Sequence, residues 1–219
     1  GNELLRSETA QEARDFVSAG RKNLIINGDM KIAQRGTSST ASGDYTTDRF
    51  KVNFTGLDEN LTFTQADVAS GTTPYILGFR KSLKLTNGNQ TSGAESADFI
   101  KINYIIEAQD IATSGWDYKS GVSFITISFW VKSSVVQNFF SRLTTNDGTA
   151  QSYVFETGSL TADTWTKVTK TIPGNSNLVF NNDTGNGLLF EFIPFRGTNT
   201  TGTRPLNEWA TFDSASRCP

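Results

Sequence analysis

Apolar and polar residues alternate most regularly over Val122–Ser134, VSFITISFWVKSS. Ile125, Ile127, Phe129 and Val131 fall on one face, and Phe124, Thr126, Ser128, Trp130 and Lys132 on the other. Period two in a stretch this rich in β-branched and aromatic residues predicts a β-strand. The same composition disfavours a buried helix. The aliphatic face is expected to meet a core. The other face, one large aromatic among hydroxyls, is expected to be half-wet. That pattern fits a central sandwich strand whose outer or concave face is open to binding.

Other stretches repeat the period. Leu24–Ile26 predicts a strand start, Asn27-Gly28 a turn or bulge, and Met30 and Ile32 resume the alternation. Further strands are expected at Arg49–Phe54, Leu61–Val68, Ser82–Thr86, Phe99–Ile106, Phe139–Leu143, Ser152–Phe155, Thr164–Ile172 and Leu188–Phe195. Within Thr164–Ile172, Trp165, Lys167, Thr169 and Thr171 oppose Thr166, Val168, Lys170 and Ile172. Glu107–Thr113 suits a helical turn, and Asp48-Arg49 a structural pair anchoring the loop before the second strand. Strands spaced by turns without intervening helices predict an all-β, antiparallel β-sandwich or jelly roll over residues 21–219.

Residues 1–20 differ. Only this segment is dense in Ala, Glu, Arg and Leu. Ser7 and Thr9 can cap, Ala10, Ala13, Phe16 and Val17 recur at helical spacing, and Gly20 is a good stop. A short α-helix is predicted over Glu8–Ser18. It is too short to hold alone in water and needs a partner surface. Leu4, Leu5, Ala10, Ala13, Phe16 and Val17 offer one, with small residues allowing close approach between copies. The segment therefore either joins several chains or folds back on its own sandwich.

Composition narrows the chemistry. The 219 residues carry 20 Lys+Arg against 22 Asp+Glu, so no field of one sign is available for nucleic acid or an anionic membrane. No apolar run reaches the roughly 18 residues of a membrane span, so membrane insertion is not expected. Histidine is absent, which removes His-based triads and zinc sites. With Cys218 the sole cysteine, thiolate metal clusters and an intrachain disulfide go too. No cofactor or metal is expected. A glycosidase needs two carboxylates about 5–10 Å apart. Glu107, Asp110, Asp117, Glu156 and Glu191 qualify by type, but no spacing pairs any of them, and no catalytic residue is assigned.

Three stretches together resemble jelly rolls of the carbohydrate-binding-module type. Asn23–Met30, NLIINGDM, is similar to that family's N-L-x-x-N-G-D-F start; Phe124–Ser133, FITISFWVKS, to its central strand; and Trp165–Ile172 to a later one. More narrowly, Asn23–Gly197 resembles the distal domain of tail-fibre proteins of tailed phages, marine and cyanobacterial ones in particular. NLIINGDMKIAQRGTS, YTTDRF, GFRKSLKLTNGNQTSG, IEAQDI, FWVKSS and TADTWTKVTKTIPGNSN carry that resemblance. Residues 1–20 resemble the connector that often precedes a fibre's terminal domain. Two departures stand out. Lys31 follows the N-G-D motif where the sugar-binding modules carry an acid that helps ligate Ca²⁺. The chain also has at most a shortened closing strand, at Ala210–Asp213; otherwise something else covers that edge.

The resemblance implies a virion protein made in the bacterial host's cytoplasm: a non-catalytic, receptor-binding part of a tail fibre. Its expected partners are a bacterial surface polysaccharide, other virion tail proteins and two further copies of itself in a homotrimer. The alternatives are a structural adaptor or decoration protein and a polysaccharide depolymerase. For glycan contact the candidates are Trp116, Tyr118, Trp130, Tyr153, Phe155, Asn146 and Asp147. Flat aromatic faces suit pyranose rings and amide or carboxyl groups suit hydroxyls. Each has a structural alternative: Trp116 and Tyr118 as a plug on the sandwich end, Trp130 in the core, Asn146-Asp147-Gly148 as a hairpin turn. Trp165 is expected to be structural.

Overall fold

A computed structural model describes residues 23–43 and 46–219. The helix expected over Glu8–Ser18, and with it the connector at residues 1–20, lies outside the described residues. In chain order the strands are β1 (Ser38–Ser39), β2 (Phe50–Thr55), β3 (Thr62–Asp67), β4 (Lys81–Thr86), β5 (Phe99–Glu107) and β6 (Phe124–Val131). They continue with β7 (Gln137–Thr145), β8 (Gln151–Leu160), β9 (Thr166–Pro173), β10 (Asn186–Arg196) and β11 (Trp209–Thr211). Short helices α1 (Thr73–Ile76) and α2 (Ala108–Ala112) follow β3 and β5.

Six strands form one sheet in the order β11-β8-β7-β10-β5-β2. Two smaller sheets, β1-β3-β4 and β6-β9, lie over its inner face. Phe63, Leu83 and Leu85 meet Val52, Ile100 and Ile102. Ile125, Ile127, Phe129 and Val131 of β6, with Val168 and Ile172 of β9, meet Tyr104, Leu143, Leu188 and Phe190. The Phe129 ring lies 5.9 Å from both Phe190 and Phe192. All named strand pairs are antiparallel. The fold is thus an all-β antiparallel sandwich, whose inner residues alternate with outward ones as face-to-face packing requires.

Three local expectations are corrected, and a fourth, left open between two alternatives, is decided. First, β6 is not central: among the described residues its only strand partner is β9. The central strand is β10, flanked by β5 and β7 and buried on both faces. Second, Leu24–Ile26 starts no strand, while residues 26–29 form the turn expected at Asn27-Gly28. The Asn27 side chain takes over the backbone's bonds, accepting from Ile32 N at 2.9 Å and donating to the carbonyls of Ile32 and Asp48 at 2.9 and 3.0 Å. Such local bonds compete with a ladder, and Asn27 and Met30 both adopt positive φ. Third, Asp48 and Arg49 do not pair with each other. Asp48 Oδ1 accepts from Gln34 N at 3.1 Å, while Arg49 reaches Glu107 at 3.8 Å. Fourth, the closing strand exists as β11, and it borders β8, at the opposite end of the sheet from β2.

The outer face of the six-stranded sheet buries charge beneath the C-terminal segment. Register sets Glu191 of β10 directly opposite Arg142 of β7 and Asn103 of β5. The Glu191 carboxylate accepts from Arg142 and, at 3.0 Å, from Lys101. Its side chain is 1% exposed and that of Arg142 3%. Phe212 lies 5.1 Å from the Arg142 guanidinium, and bridges Val154–Leu206 and Thr201–Cys218 hold the segment down. Cys218 is buried here as a free thiol, which burial pushes up in pKa.

Burial alone pushes the Glu191 carboxyl up, but the charges of Arg142 and Lys101 and their hydrogen bonds outweigh it and leave the group below its ordinary value. A depressed carboxyl stabilises the fold above the unfolded-state value, about 4.3 for Glu. That stability is lost as pH falls from there through the folded-state value. Glu191→Gln, which leaves Arg142 buried without its counter-charge, is expected to cost roughly 3–5 kcal/mol in urea unfolding at pH 7. The variant should also lose less stability than the parent between pH 5 and pH 3.

Candidate functional site

The two faces of the β6–β9 ribbon have opposite fates. Antiparallel register pairs Ile125 with Ile172 and Phe129 with Val168, and these turn inward. On the outward face Phe124 is opposite Pro173, Thr126 opposite Thr171, Ser128 opposite Thr169 and Trp130 opposite Lys167. Directly opposite residues share a face, and the side-chain period of two places all eight together. Phe124 is 55% exposed; Thr126, Ser128, Thr169, Thr171 and Lys167 are exposed and Trp130 half-buried. Lys132 and Trp165 extend the row, with the Lys132 ammonium 5.6 Å from the Trp165 ring centroid.

The arrangement is an aromatic group at each end with a field of four hydroxyls between. Trp130 is six residues beyond Phe124 in the strand, about 20 Å at a strand's rise. The Thr126 and Thr171 hydroxyls approach to 3.4 Å. The chemistry this face offers is ring stacking at its ends and hydroxyl bonding along its length. It holds no acid, thiol or imidazole to act as nucleophile or general acid.

The loop before β6 is fastened to the ribbon's Phe124 end. Gly174 N donates to Ser123 O at 2.9 Å and Asn175 N to Tyr118 O at 2.8 Å. The approach is so close that a Cβ on Gly174 would lie 2.5 Å from Ser120 O and 2.6 Å from Tyr118 O. Trp116 in this loop is 7% exposed and donates its Nε1–H to Ser123 O at 3.2 Å. With Tyr118 and Phe180 it forms an aromatic cluster, the Tyr118 and Phe180 rings 4.9 Å apart. Trp116 therefore plugs the sandwich end, and such a ring has no open face for a sugar.

The remaining candidates are not brought together. Tyr153 and Phe155 are 2% and 0% exposed, inside the sandwich, with Trp209 beside Tyr153. Asn146 and Asp147 lie in the β7–β8 turn, where Asp147 accepts from Asn181 N at 2.8 Å and from its Nδ2 at 3.0 Å. Only Trp130 belongs to the open ribbon face. Trp165, expected to be structural, is half-buried on that face. Phe124, Ser128, Thr169 and Thr171 were legible as face-mates within their own strands. What joins the two strands is register, which no local pattern encodes.

Of the candidate carboxylates, Glu191 is locked to Arg142 and Lys101. Glu107 accepts from Gln109 Nε2 at 2.9 Å, and Glu156 from Asn138 Nδ2 at 2.7 Å. At the Asn-Gly-Asp motif, Lys31 Nζ lies 2.9 Å from Asp29 Oδ2, so the lysine ammonium occupies that carboxylate. The hydrogen bond from Lys31 lowers the Asp29 pKa, against slight desolvation. Among the described residues no cluster of three or more His, Cys, Asp or Glu is placed to hold a metal ion. No helix among them is long and apolar enough to cross a membrane. Neither the family models nor the curated proteins compared with this chain match it.

The burial difference has a direct readout. Trp116→Ala is expected to cost roughly 3–5 kcal/mol in denaturant unfolding, as for a buried Trp. Trp130→Ala should cost about 1 kcal/mol, because part of its surface stays wet in the fold. Equal losses would place Trp130 in the core.

Proposed function

We propose that this chain is the receptor-binding part of a tailed-phage tail fibre, which attaches to a glycan on the bacterial surface without chemical reaction. The single observation that carries the reading is the open β6–β9 face: exposed Phe124 and half-exposed Trp130 at either end of four hydroxyls. Binding-capable aromatics on an exposed sheet face are the pattern expected of a surface for an extended polymer. We read the two layers as a jelly roll of the carbohydrate-binding kind, with the resemblance at NLIINGDM and FITISFWVKS in its support. The structural bonds at Glu107, Glu156 and Glu191 favour attachment over depolymerisation.

On this reading the protein works on the virion as a homotrimer beside other tail proteins, with residues 1–20 joining the copies. A fibre needs several chains about one axis, and a closed ring of identical contacts supplies that.

Binding is tested on a bacterial-glycan array and in host adsorption. Phe124→Ala and Trp130→Ala should each reduce glycan retention by roughly five- to thirtyfold, the loss of one stacking contact of roughly 1–2 kcal/mol. Retention of full binding by both variants would refute the assigned face. Absence of both glycan binding and adsorption would favour an adaptor or decoration role. Release of reducing ends from host polysaccharide would establish a depolymerase.

Assembly is tested separately by sedimentation at micromolar concentration. The full chain should run as a trimer, and a chain starting near Arg21 should dissociate more readily. A monomeric full chain would refute self-assembly, and undiminished trimer without residues 1–20 would move the interface onto the sandwich.

A further inference from the structure

The charge on the ribbon face is one-sided. The whole chain has two more acids than bases, whereas this face of ten residues carries two lysines and no acid. The charged groups on this face are Lys132 and Lys167. Both are exposed, and neither pairs with a carboxylate among the described residues. Three lysines off this face are paired, Lys31 with Asp29, Lys81 with Asp67 and Lys101 with Glu191; what sets Lys132 and Lys167 apart is their placement together on one exposed face.

Their positions matter as much as their sign. Lys167 is directly opposite Trp130, and Lys132 lies over the Trp165 ring. The cation–π contact holds Lys132 on the face, at a strength of about 0.5–1 kcal/mol for an exposed pair. Both ammonium groups thus flank the tryptophan end, while the Thr126–Thr171 and Ser128–Thr169 rows toward Phe124 are neutral. A sugar ring stacked at Trp130 would carry its substituents to the two lysines.

We infer that the ribbon face selects an anionic glycan, one bearing a carboxylate or sulfate on the unit bound at Trp130, with Lys132 and Lys167 as the residues that determine this specificity. The inference rests on the glycan reading of the same face and names its ligand class. Two exposed ion pairs contribute about 0.2–1 kcal/mol each, so the preference over a neutral glycan is roughly two- to thirtyfold in affinity. It is screened as ionic strength rises past the physiological range.

The test uses the full chain in affinity electrophoresis through gels containing polygalacturonate, dextran sulfate or neutral dextran of matched length. At 50 mM salt the acidic polymers should retard the protein more than dextran, and 500 mM salt should narrow the gap. The double variant Lys132→Gln, Lys167→Gln should lose the preference with its melting temperature unchanged, and Trp130→Ala should lose retardation by every polymer. Retardation by only one acidic polymer identifies the group read as carboxylate or as sulfate ester. Equal retardation by dextran and the acidic polymers, abolished by Trp130→Ala, would overturn the charge preference and leave the glycan reading standing. Acidic retardation that survives the lysine double variant would also overturn it. So would loss on lysine replacement with none on Trp130→Ala, which means ion exchange without a stacked ring. No retardation by any polymer would overturn both readings.

Discussion

The contact between Phe129 and the Phe190–Phe192 pair anchors the small ribbon to the large sheet. A strand pair can bury one face only against one layer, because successive side chains point to opposite sides. Once Phe129, Ile125 and Ile127 are committed inward, Phe124, Thr126, Ser128 and Trp130 must face out. Register with β9 then adds Thr169, Thr171 and Lys167 to the same surface. The ribbon face is therefore a consequence of core packing, and its geometry is as firm as the core beneath it.

The opposite side of the molecule differs from the ribbon face. The outer face of the six-stranded sheet is given over to Glu191, Arg142 and Lys101 and closed by Phe212 and the C-terminal segment. Buried pairs of this kind are weak evidence for stability, since desolvation offsets much of the attraction. Their cross-strand placement at adjacent positions of β5, β10 and β7 instead ties the three central strands to one register. A one-residue slip would carry Glu191 into the apolar interior. The two charged sites thus differ: in one, buried Glu191 pairs with two cations; in the other, the lysines are external and pair with no carboxylate among the described residues.

The strands were largely legible in the sequence, because alternation at period two is a local property. It placed Ile125, Ile127 and Phe129 inward and separated Trp165, Lys167, Thr169 and Thr171 from Val168 and Ile172. Centrality was not legible. FITISFWV has the cleaner alternation, whereas the true central strand, NGLLFEFIPFR, carries apolar groups on both faces and a glutamate in its middle. That glutamate finds its partners about 50 and 90 residues away in the chain, beyond any window. The strand start expected at Leu24–Ile26 failed because the Asn27 amide satisfies the backbone locally. The site was half legible for a related reason. Aromatic identity does not distinguish a plug from a platform, and Trp116 and Trp130 differ only in what tertiary packing places over them. Tyr153 and Phe155 were drawn into the interior by β8, which is buried from Gln151 to Phe155.

Where a ligand touches the protein is the deciding observation. Amide chemical shifts of the full chain, titrated with the strongest binder from a bacterial-glycan array, locate that contact residue by residue. The account predicts that the perturbed amides fall within Phe124–Lys132 and Trp165–Pro173, and that the strand interior at Glu191 and Arg142 is silent. Perturbation centred on the α1 loop or the β7–β8 turn, with the ribbon silent, would contradict it.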